Sequence, residues 1–302
     1  MLLGLKNQII TMSIQSSELI TNDDGSIFHL HLLPEDLADT VILVGDPGRV
    51  ETIATYFDSV ELKKSNREFY TLTGTYKNRR LSVLSTGIGP DNIDIVINEL
   101  DALVNIDLKT KEIRKEKRSL NIVRIGTSGS VQADIPVNSF VISEKSIGCD
   151  GVLRFYGNAP QVCDQDFEKA FAAHCQWTPE AAHPYVVNAS PLLVSRLHTE
   201  GITIKGVTLT AVGFYGPQGR VLRLPLAMPG INDRITAFHY KDYKVTNYEM
   251  ESAAITGLCN LLGHHAATIC LIIANRMTGA ASADYHGYMN KLITYTLDRL
   301  AL

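Results

Sequence analysis

The apolar positions of this chain follow two rhythms that alternate from end to end. Thr40-Val-Ile-Leu-Val-Gly45, Asn121 to Gly126, Val207 to Phe214 and Ala266 to Ala274 are short, nearly continuous apolar runs. Runs of that length suit strands covered on both faces, as in a parallel sheet. Elsewhere the period changes to that of a helix. Ile93, Val96, Ile97, Leu100, Leu103 and Val104 fall on one helical stripe, and Met289, Leu292, Ile293, Thr296 and Leu300 on another. Further helices are predicted from Asp46-Pro-Gly-Arg49 to about Phe57 and from Glu251 to Leu262. Glu68 to Thr75 and Arg80 to Thr86 flank Lys77-Asn78-Arg79 and read as a hairpin. Strands alternating with helices, with no linker between them, predict one α/β domain with a mixed sheet. In such folds ligands gather beyond the carboxyl ends of strands.

Residues 1–26, rich in Ser, Asn and Asp, read as a flexible arm before a single domain at 27–302. The apolar start is too short and too interrupted for a signal peptide or a membrane span, so the chain reads as cytoplasmic. A hydrophobic fraction of 45% and a net charge of −4 are ordinary for a globular protein and give no global attraction to nucleic acid or an anionic membrane. Six of the thirteen residues at 107–119 are Lys or Arg, but no aromatics interleave, so this stretch reads as a solvated insertion. The five cysteines form no CxxC pair, which indicates neither a disulfide framework nor a thiolate zinc site. No metal-ligand cluster and no Gly-x-Ser-x-Gly elbow is present, so metal-assisted hydrolysis and serine acyl transfer are unsupported.

Chemistry concentrates at strand ends. Gly45-Asp-Pro-Gly-Arg49 ends a strand and opens a helix, a place where backbone N–H groups and the helix dipole favour an anion. Arg124 sits within the apolar strand Ile122-Val-Arg-Ile-Gly126 and must be paired with a carboxylate or bound to an anion, because an unpaired buried charge is costly. Thr127 and Ser128 add hydroxyls beside it. Phe214-Tyr-Gly-Pro-Gln-Gly-Arg220 offers an aromatic face at Phe214 and polar groups at Gln218 and Arg220, a set suited to a flat heterocycle or simply to a solvated turn. Asn247-Tyr-Glu-Met-Glu251 places two carboxylates where a strand meets an apolar helix, suited to capping or to sugar hydroxyls.

Taken together, Val44-Gly-Asp-Pro-Gly-Arg49, Arg67-Glu-Phe69, Ser85-Thr-Gly-Ile-Gly89, Arg124-Ile-Gly-Thr-Ser-Gly129, Phe214-Tyr…Gln218…Arg220 and Asn247-Tyr-Glu-Met-Glu251 resemble the uridine phosphorylase branch of the nucleoside phosphorylases, over residues 27–300 and in the same order. The resemblance implies a single three-layer α/β/α domain around a distorted mixed central sheet, assembled as a homodimer or as a hexamer of three dimers. It implies a phosphate site at Gly45, Arg49, Arg124 and Thr127, joined by Arg67 of a neighbouring subunit. His29 would reach across the same interface to the ribose 5′-hydroxyl. Glu249, Met250 and Glu251 would hold the ribose, and Phe214, Gln218 and Arg220 the base. The reaction implied is cleavage of a pyrimidine nucleoside by inorganic phosphate, with Arg124, Arg220 and Glu251 as its catalytic groups and with no metal or organic cofactor. Glu68 matches a position linked to a monovalent cation, yet Asn92 stands where a serine ligand is expected. Gly216-Pro217 reverses the usual Pro-Gly order, and the 107–119 insertion is longer than in typical bacterial members. The rival readings are a purine nucleoside phosphorylase, a nucleoside hydrolase and a non-catalytic nucleoside-binding protein on the same fold. The first should carry an aspartate near Ala274-Asn275, which is missing, and the second should lack the arginines that are present.

Overall fold

A computed structural model describes residues 13–302. Thirteen strands and seven α-helices alternate along them. The first half holds β1 (Thr40–Val44), α1 (Pro47–Ala54), β2 (Ser59–Asn66), β3 (Phe69–Tyr76), β4 (Arg79–Ser85), α2 (Pro90–Asn105), β5 (Ile106–Asp107), β6 (Glu112–Ile113) and β7 (Asn121–Ser130). Then come β8 (Phe140–Gly148), α3 (Gln165–Cys175), β9 (Tyr185–Asn188), α4 (Pro191–Leu197), β10 (Thr203–Thr210) and α5 (Ile231–Ala237). The chain finishes with β11 (His239–Tyr240), β12 (Tyr243–Glu249), α6 (Ser252–Leu262), β13 (His265–Asn275) and α7 (Tyr285–Ala301).

Eleven strands form one mixed sheet in the order β11-β12-β10-β8-β13-β7-β1-β4-β3-β2, with β9 added on β8. β12 also pairs antiparallel with β7 through Asn247–Ser130 and Tyr248–Gly129, so β12, β10, β8, β13 and β7 close on themselves. That closure is the distortion of the central sheet. Helices cover both faces, and the apolar runs show why. Val41 and Leu43 of β1 pack into the core with α2 and α6, whereas Ile42 and Val44 pack with α1, α4 and α7. A side chain points to alternate faces at each step along a strand, so a strand covered twice must be apolar throughout. A third cluster joins α3 and α5 to β10 and β12.

Several expected elements differ in extent. The strand expected over Val207 to Phe214 is β10, which runs over Thr203–Thr210. Ala211 N still donates to Glu249 O at 2.9 Å, but beyond it the chain leaves the sheet and exposes Val212 and Phe214. Those apolar residues line a surface loop. β2 carries Glu61, Lys63 and Lys64 on the sheet's edge, and β8 carries Glu144 and Lys145, so neither shows an uninterrupted apolar run. The Lys77-Asn78 turn between β3 and β4 has positive φ at both residues (46° and 63°), the geometry of a type I′ hairpin.

The 107–119 insertion forms the small β5–β6 hairpin, largely exposed, and it grips the segment before the domain. Ile14 N donates to Lys111 O at 2.8 Å, and Lys111 Nζ donates to Leu19 O at 2.8 Å. Asn22 to Ser26 form a hydrogen-bonded turn with Ser26 buried, and Thr21 bridges Ile27. Residues 1–12 lie outside the described residues. No helix among the described residues is long and apolar enough to cross a membrane.

α7 buries Met289, Leu292, Ile293, Thr296, Leu297 and Leu300 against the sheet. Leu292→Ala should lower unfolding free energy by about 2–5 kcal/mol, through lost transfer energy and a residual cavity. Denaturant unfolding measures it, and a loss below ~1 kcal/mol would show that α7 is not integral to the core.

Candidate active site

The site begins with strand alternation on β7. Ile122 faces α2 and α6, Val123 and Ile125 face the opposite core, and Arg124 therefore falls on the α2/α6 side. It is buried there. Register places Leu43 of β1 beside Arg124, so Gly45, just past the end of β1, lies level with Gly126 in the middle of β7. Asp46 caps α1 by accepting from Gly48 N at 2.9 Å, and the helix carries Arg49 back toward β7, where Nη1 donates to Ile125 O at 3.3 Å. Two guanidinium groups thus converge beside the end of β1, in the middle of the sheet. Burial and then the positive charge of Arg124 push the Arg49 pKa down. Arg49 has no carboxylate within ion-pair distance among the described residues, and the Thr127 hydroxyl has no hydrogen-bond partner there. An oxyanion would satisfy both.

Arg124 is differently placed. Its Nη2 meets Glu251 Oε2, its Nη1 lies 3.4 Å from Glu249, and Nη1 also donates to Cys270 Sγ at 3.5 Å. The ion-pair alternative left open for Arg124 is thus realised. The two carboxylates, however, have unequal tasks. Glu249 Oε2 accepts from the N–H groups of Glu251 (2.9 Å) and Ser252 (2.8 Å), while Oε1 accepts from the hydroxyls of Thr210 (2.5 Å) and Ser252 (2.8 Å). Its oxygens are occupied, so Glu249 caps α6 and positions its neighbours. Glu251 makes no side-chain cap; its Oε1 accepts from Gly89 N at 2.9 Å at the start of α2. Burial pushes the Glu251 pKa up while the Arg124 charge opposes it. Met250, half-buried, lies between the two carboxylates in the chain.

The loop after β10 is built on arginine and amide contacts. A short 3-10 turn over Gly216–Gln218 sends the Gln218 side chain inward, where it is buried. Its Oε1 accepts from Arg220 Nη1 at 2.6 Å and from Arg276 Nη2 at 2.7 Å, which leaves the amide N–H₂ to donate elsewhere. Arg220 stacks over Phe214 at 3.8 Å, and Arg276 over Tyr248 at 4.6 Å. Burial lowers the Arg276 pKa to about 10, with Arg220 adding repulsion. Arg276 was missed in the sequence although it follows the buried β13, the same signal that marked Arg124. Asn275, beside it, donates to the carbonyls of Gln132 (2.8 Å) and Ile135 (2.9 Å) and accepts from Met277 N and Thr278 N. It is wholly committed to the backbone.

His29 and Arg67 lie apart from these groups. Arg67, exposed with φ 54°, turns the chain between β2 and β3, three strands from β7. Its guanidinium sits 5.9 Å over Phe28, and Asn66 Nδ2 donates to His29 O at 2.8 Å, so both residues share one surface unit. Glu68 and Asn92 flank Gly87 beside it.

Strand order, layers and a strand-end site rich in arginine and carboxylate define a nucleoside-phosphorylase-like α/β protein. The profile of the Phosphorylase superfamily matches residues 39–293, and the chain belongs to that superfamily. The chain is 29% identical over 269 residues to a uridine phosphorylase of Thermococcus kodakarensis, covering 87% of this chain and 82% of that one. A DeoD-type purine nucleoside phosphorylase of Listeria welshimeri is 28% identical over 274 residues, covering 89% and 97%. Among solved structures, a Trypanosoma brucei nucleoside phosphorylase described as showing uridine phosphorylase activity superposes with a TM-score of 0.84 at 28% identity, covering 93% of this chain and 99% of that one.

A methyl group at Gly126 would meet Arg124 Nη1 at 1.9 Å and Cζ at 2.8 Å. Gly126→Ala should therefore displace the guanidinium without breaking the sheet. Hydrogen bonds to charged groups are worth about 1.5–3 kcal/mol, so affinity for inorganic phosphate should fall roughly tenfold or more. Calorimetric titration with phosphate tests this, and unchanged affinity would mean that Arg124 does not hold the anion.

Proposed function

We propose that this protein is a uridine phosphorylase, converting uridine and phosphate to uracil and ribose 1-phosphate in pyrimidine salvage. The observation that carries the reading is Gln218, buried with its oxygen clamped by Arg220 and Arg276 beside Phe214. An amide nitrogen left free to donate, next to guanidinium donors, fits the carbonyl oxygens of uracil. Similarity alone does not choose the base, because uridine and purine relatives match at nearly equal identity. Asn275 favours uracil. It presents no carboxyl to protonate a purine, and its amide is already bound to backbone.

In the proposed mechanism Gly45, Arg49, Arg124 and Thr127 hold phosphate beneath the sugar, a preorganised nucleophile and counter-charge. Glu251, anchored by Gly89 and Arg124, accepts hydrogen bonds from the 2′- and 3′-hydroxyls and aims C1′ at the phosphate. Met250 packs against the ribose, and Glu249 acts through its cap. As the glycosidic bond breaks, positive charge grows on the ring and negative charge on the leaving base, where Arg220 stabilises it. No organic cofactor enters this scheme.

The site is shared between subunits in this reading, and the protein works as a cytoplasmic homodimer or hexamer. What supports sharing is distance. His29 is anchored by Glu99 on α2, ten residues and so about 15 Å along the helix from Gly89, where Glu251 is held. Arg67, three strand spacings from β7, is about 14 Å away from the strand of Arg124.

Uridine should be cleaved about a thousandfold faster than inosine, because a site built for polar edges rejects ligands that leave them unpaired. Uracil release should require added phosphate. Comparing kcat/KM for the two nucleosides, with and without phosphate, tests both; equal rates on inosine would overturn the base assignment, and phosphate-independent release would make the enzyme a hydrolase. Sharing has its own test. Arg67→Ala and Arg124→Ala homodimers should each be nearly inactive, but a mixed dimer places both changes in one site and leaves the other intact. Co-refolding equal amounts should restore about a quarter of wild-type activity. No recovery, with mixed dimers confirmed by mass, would put Arg67 outside the neighbouring site.

A further inference from the structure

We infer that Glu99 is a positioning residue for the sugar: it fixes the ring and tautomer of His29, so that the histidine accepts a hydrogen bond from the nucleoside 5′-hydroxyl in the neighbouring subunit's site. The inference rests on the uridine phosphorylase reading and on His29 reaching the sugar, and it adds a residue that makes no contact with substrate.

Glu99 lies on α2 with its side chain only 13% exposed. One carboxylate gathers four contacts from a two-residue stretch. Oε1 accepts from His29 N at 3.0 Å, and Oε2 from His29 N at 3.1 Å and Leu30 N at 2.8 Å. The fourth is His29 Nδ1, 2.6 Å from Oε1. The backbone is therefore gripped at the residue whose side chain is also gripped. Edge contacts with Phe28 (4.8 Å between centroids) and Phe69 (6.3 Å) confine the ring from two further directions. A satisfied core histidine would have both ring nitrogens engaged, but here Nε2 has no hydrogen-bond partner among the described residues.

The chemistry follows from the donor inventory. An ionised carboxylate only accepts, so Nδ1 carries the proton, and in the neutral ring Nε2 is left as an acceptor. An acceptor held in place is what a hydroxyl donor requires. The same pattern, a carboxylate behind a histidine, orients ligand histidines in other sites by fixing the tautomer. α2 thus has two tasks in this reading. Its first turn holds Glu251 through Gly89 for its own sugar, and Glu99 aims His29 at the sugar next door.

The experiment compares Glu99→Gln with wild type on uridine and on 5′-deoxyuridine, which lacks the hydroxyl. Glutamine keeps an acceptor oxygen for the two backbone N–H groups, but its N–H₂ can donate to Nδ1, so the tautomer is no longer fixed. For uridine, kcat/KM should fall about 10- to 100-fold, the usual range for losing one charge-assisted polar contact. For 5′-deoxyuridine it should change less than about threefold, because the contact is already absent. An equal loss on both substrates would mean that Glu99 only supports the fold, and no loss on either would mean that it does nothing for the sugar; either result overturns the inference. His29→Ala serves as the reference. If it fails to discriminate between the two substrates, the His29 contact itself is wrong, and if wild-type enzyme does not release uracil with phosphate, the uridine phosphorylase reading falls first.

Discussion

A positive charge buried on an apolar strand is the constraint around which this molecule is arranged. Arg124 sits between Ile122 and Gly126 with its guanidinium almost wholly withdrawn from water. Leaving that charge unpaired would cost several kcal/mol, more than most domains can spare. Neighbouring elements answer it. β12 folds back onto β7 and delivers Glu249 and Glu251, α6 starts where those carboxylates lie, and α2 starts where Gly89 can hold Glu251 from the other side. Glycine at 126 leaves the room the guanidinium occupies. The closure of the five-strand ring and the site are therefore one feature described twice.

Burial of that kind is also why Arg124 and Arg49 differ. Arg124 is neutralised by two acids, whereas Arg49 feels its repulsion and has no acid within ion-pair distance among the described residues. A dianion entering beside Gly45 and Thr127 would relieve the repulsion and complete a chain of alternating charges from Arg49 through phosphate and Arg124 to Glu251. Preorganisation of this sort places the favourable electrostatics before the reaction starts, so little reorganisation is needed as charge develops.

Much of this was legible in the sequence, and the illegible parts share a physical cause. Where a strand is covered twice, as β1 and β13 are, its composition announces it. The stripe on α2 and the stripe on α7 were equally plain, because each buries one face only. β2 and β8 were hidden by lysines and glutamates whose aliphatic stems or ion pairs make them tolerable at an edge or beside Asp164. β10 was displaced by several residues because apolar side chains at Val212 and Phe214 line a loop, and hydropathy does not record whether the surface is a sheet or a site. Within the site, Arg49 on α1, Arg124 within β7 and the paired carboxylates were readable as chemistry. Their division of labour was not: Glu249 and Glu251 are alike in the sequence and both meet Arg124, and only the helix start decides which caps α6 and which is held by Gly89.

The two halves of the site are built from different material, and that bears on how specificity varies in this superfamily. Arg124, Thr127, Glu249 and Glu251, assigned to phosphate and ribose, stand on β7, at the end of β12 and at the start of α6, where Arg124 and the two carboxylates are fixed by pairing and burial. Groups assigned to the base stand on the loop after β10, with Phe214 and Tyr215 each more than half exposed. A change in the loop costs little stability because few buried contacts depend on it, whereas a change at Arg124 disturbs the sheet closure. Relatives named for uridine and for purines, matching this chain at 29% and 28% identity over comparable lengths, fit that division. In this chain the loop is tied down at Gln218 by an arginine from its own segment and another from the end of β13. The second of these, Arg276, comes from the scaffold. In the proposed reading, base recognition is thus anchored to the same sheet as the phosphate site, and the loop would vary around it without losing its register to the reacting carbon.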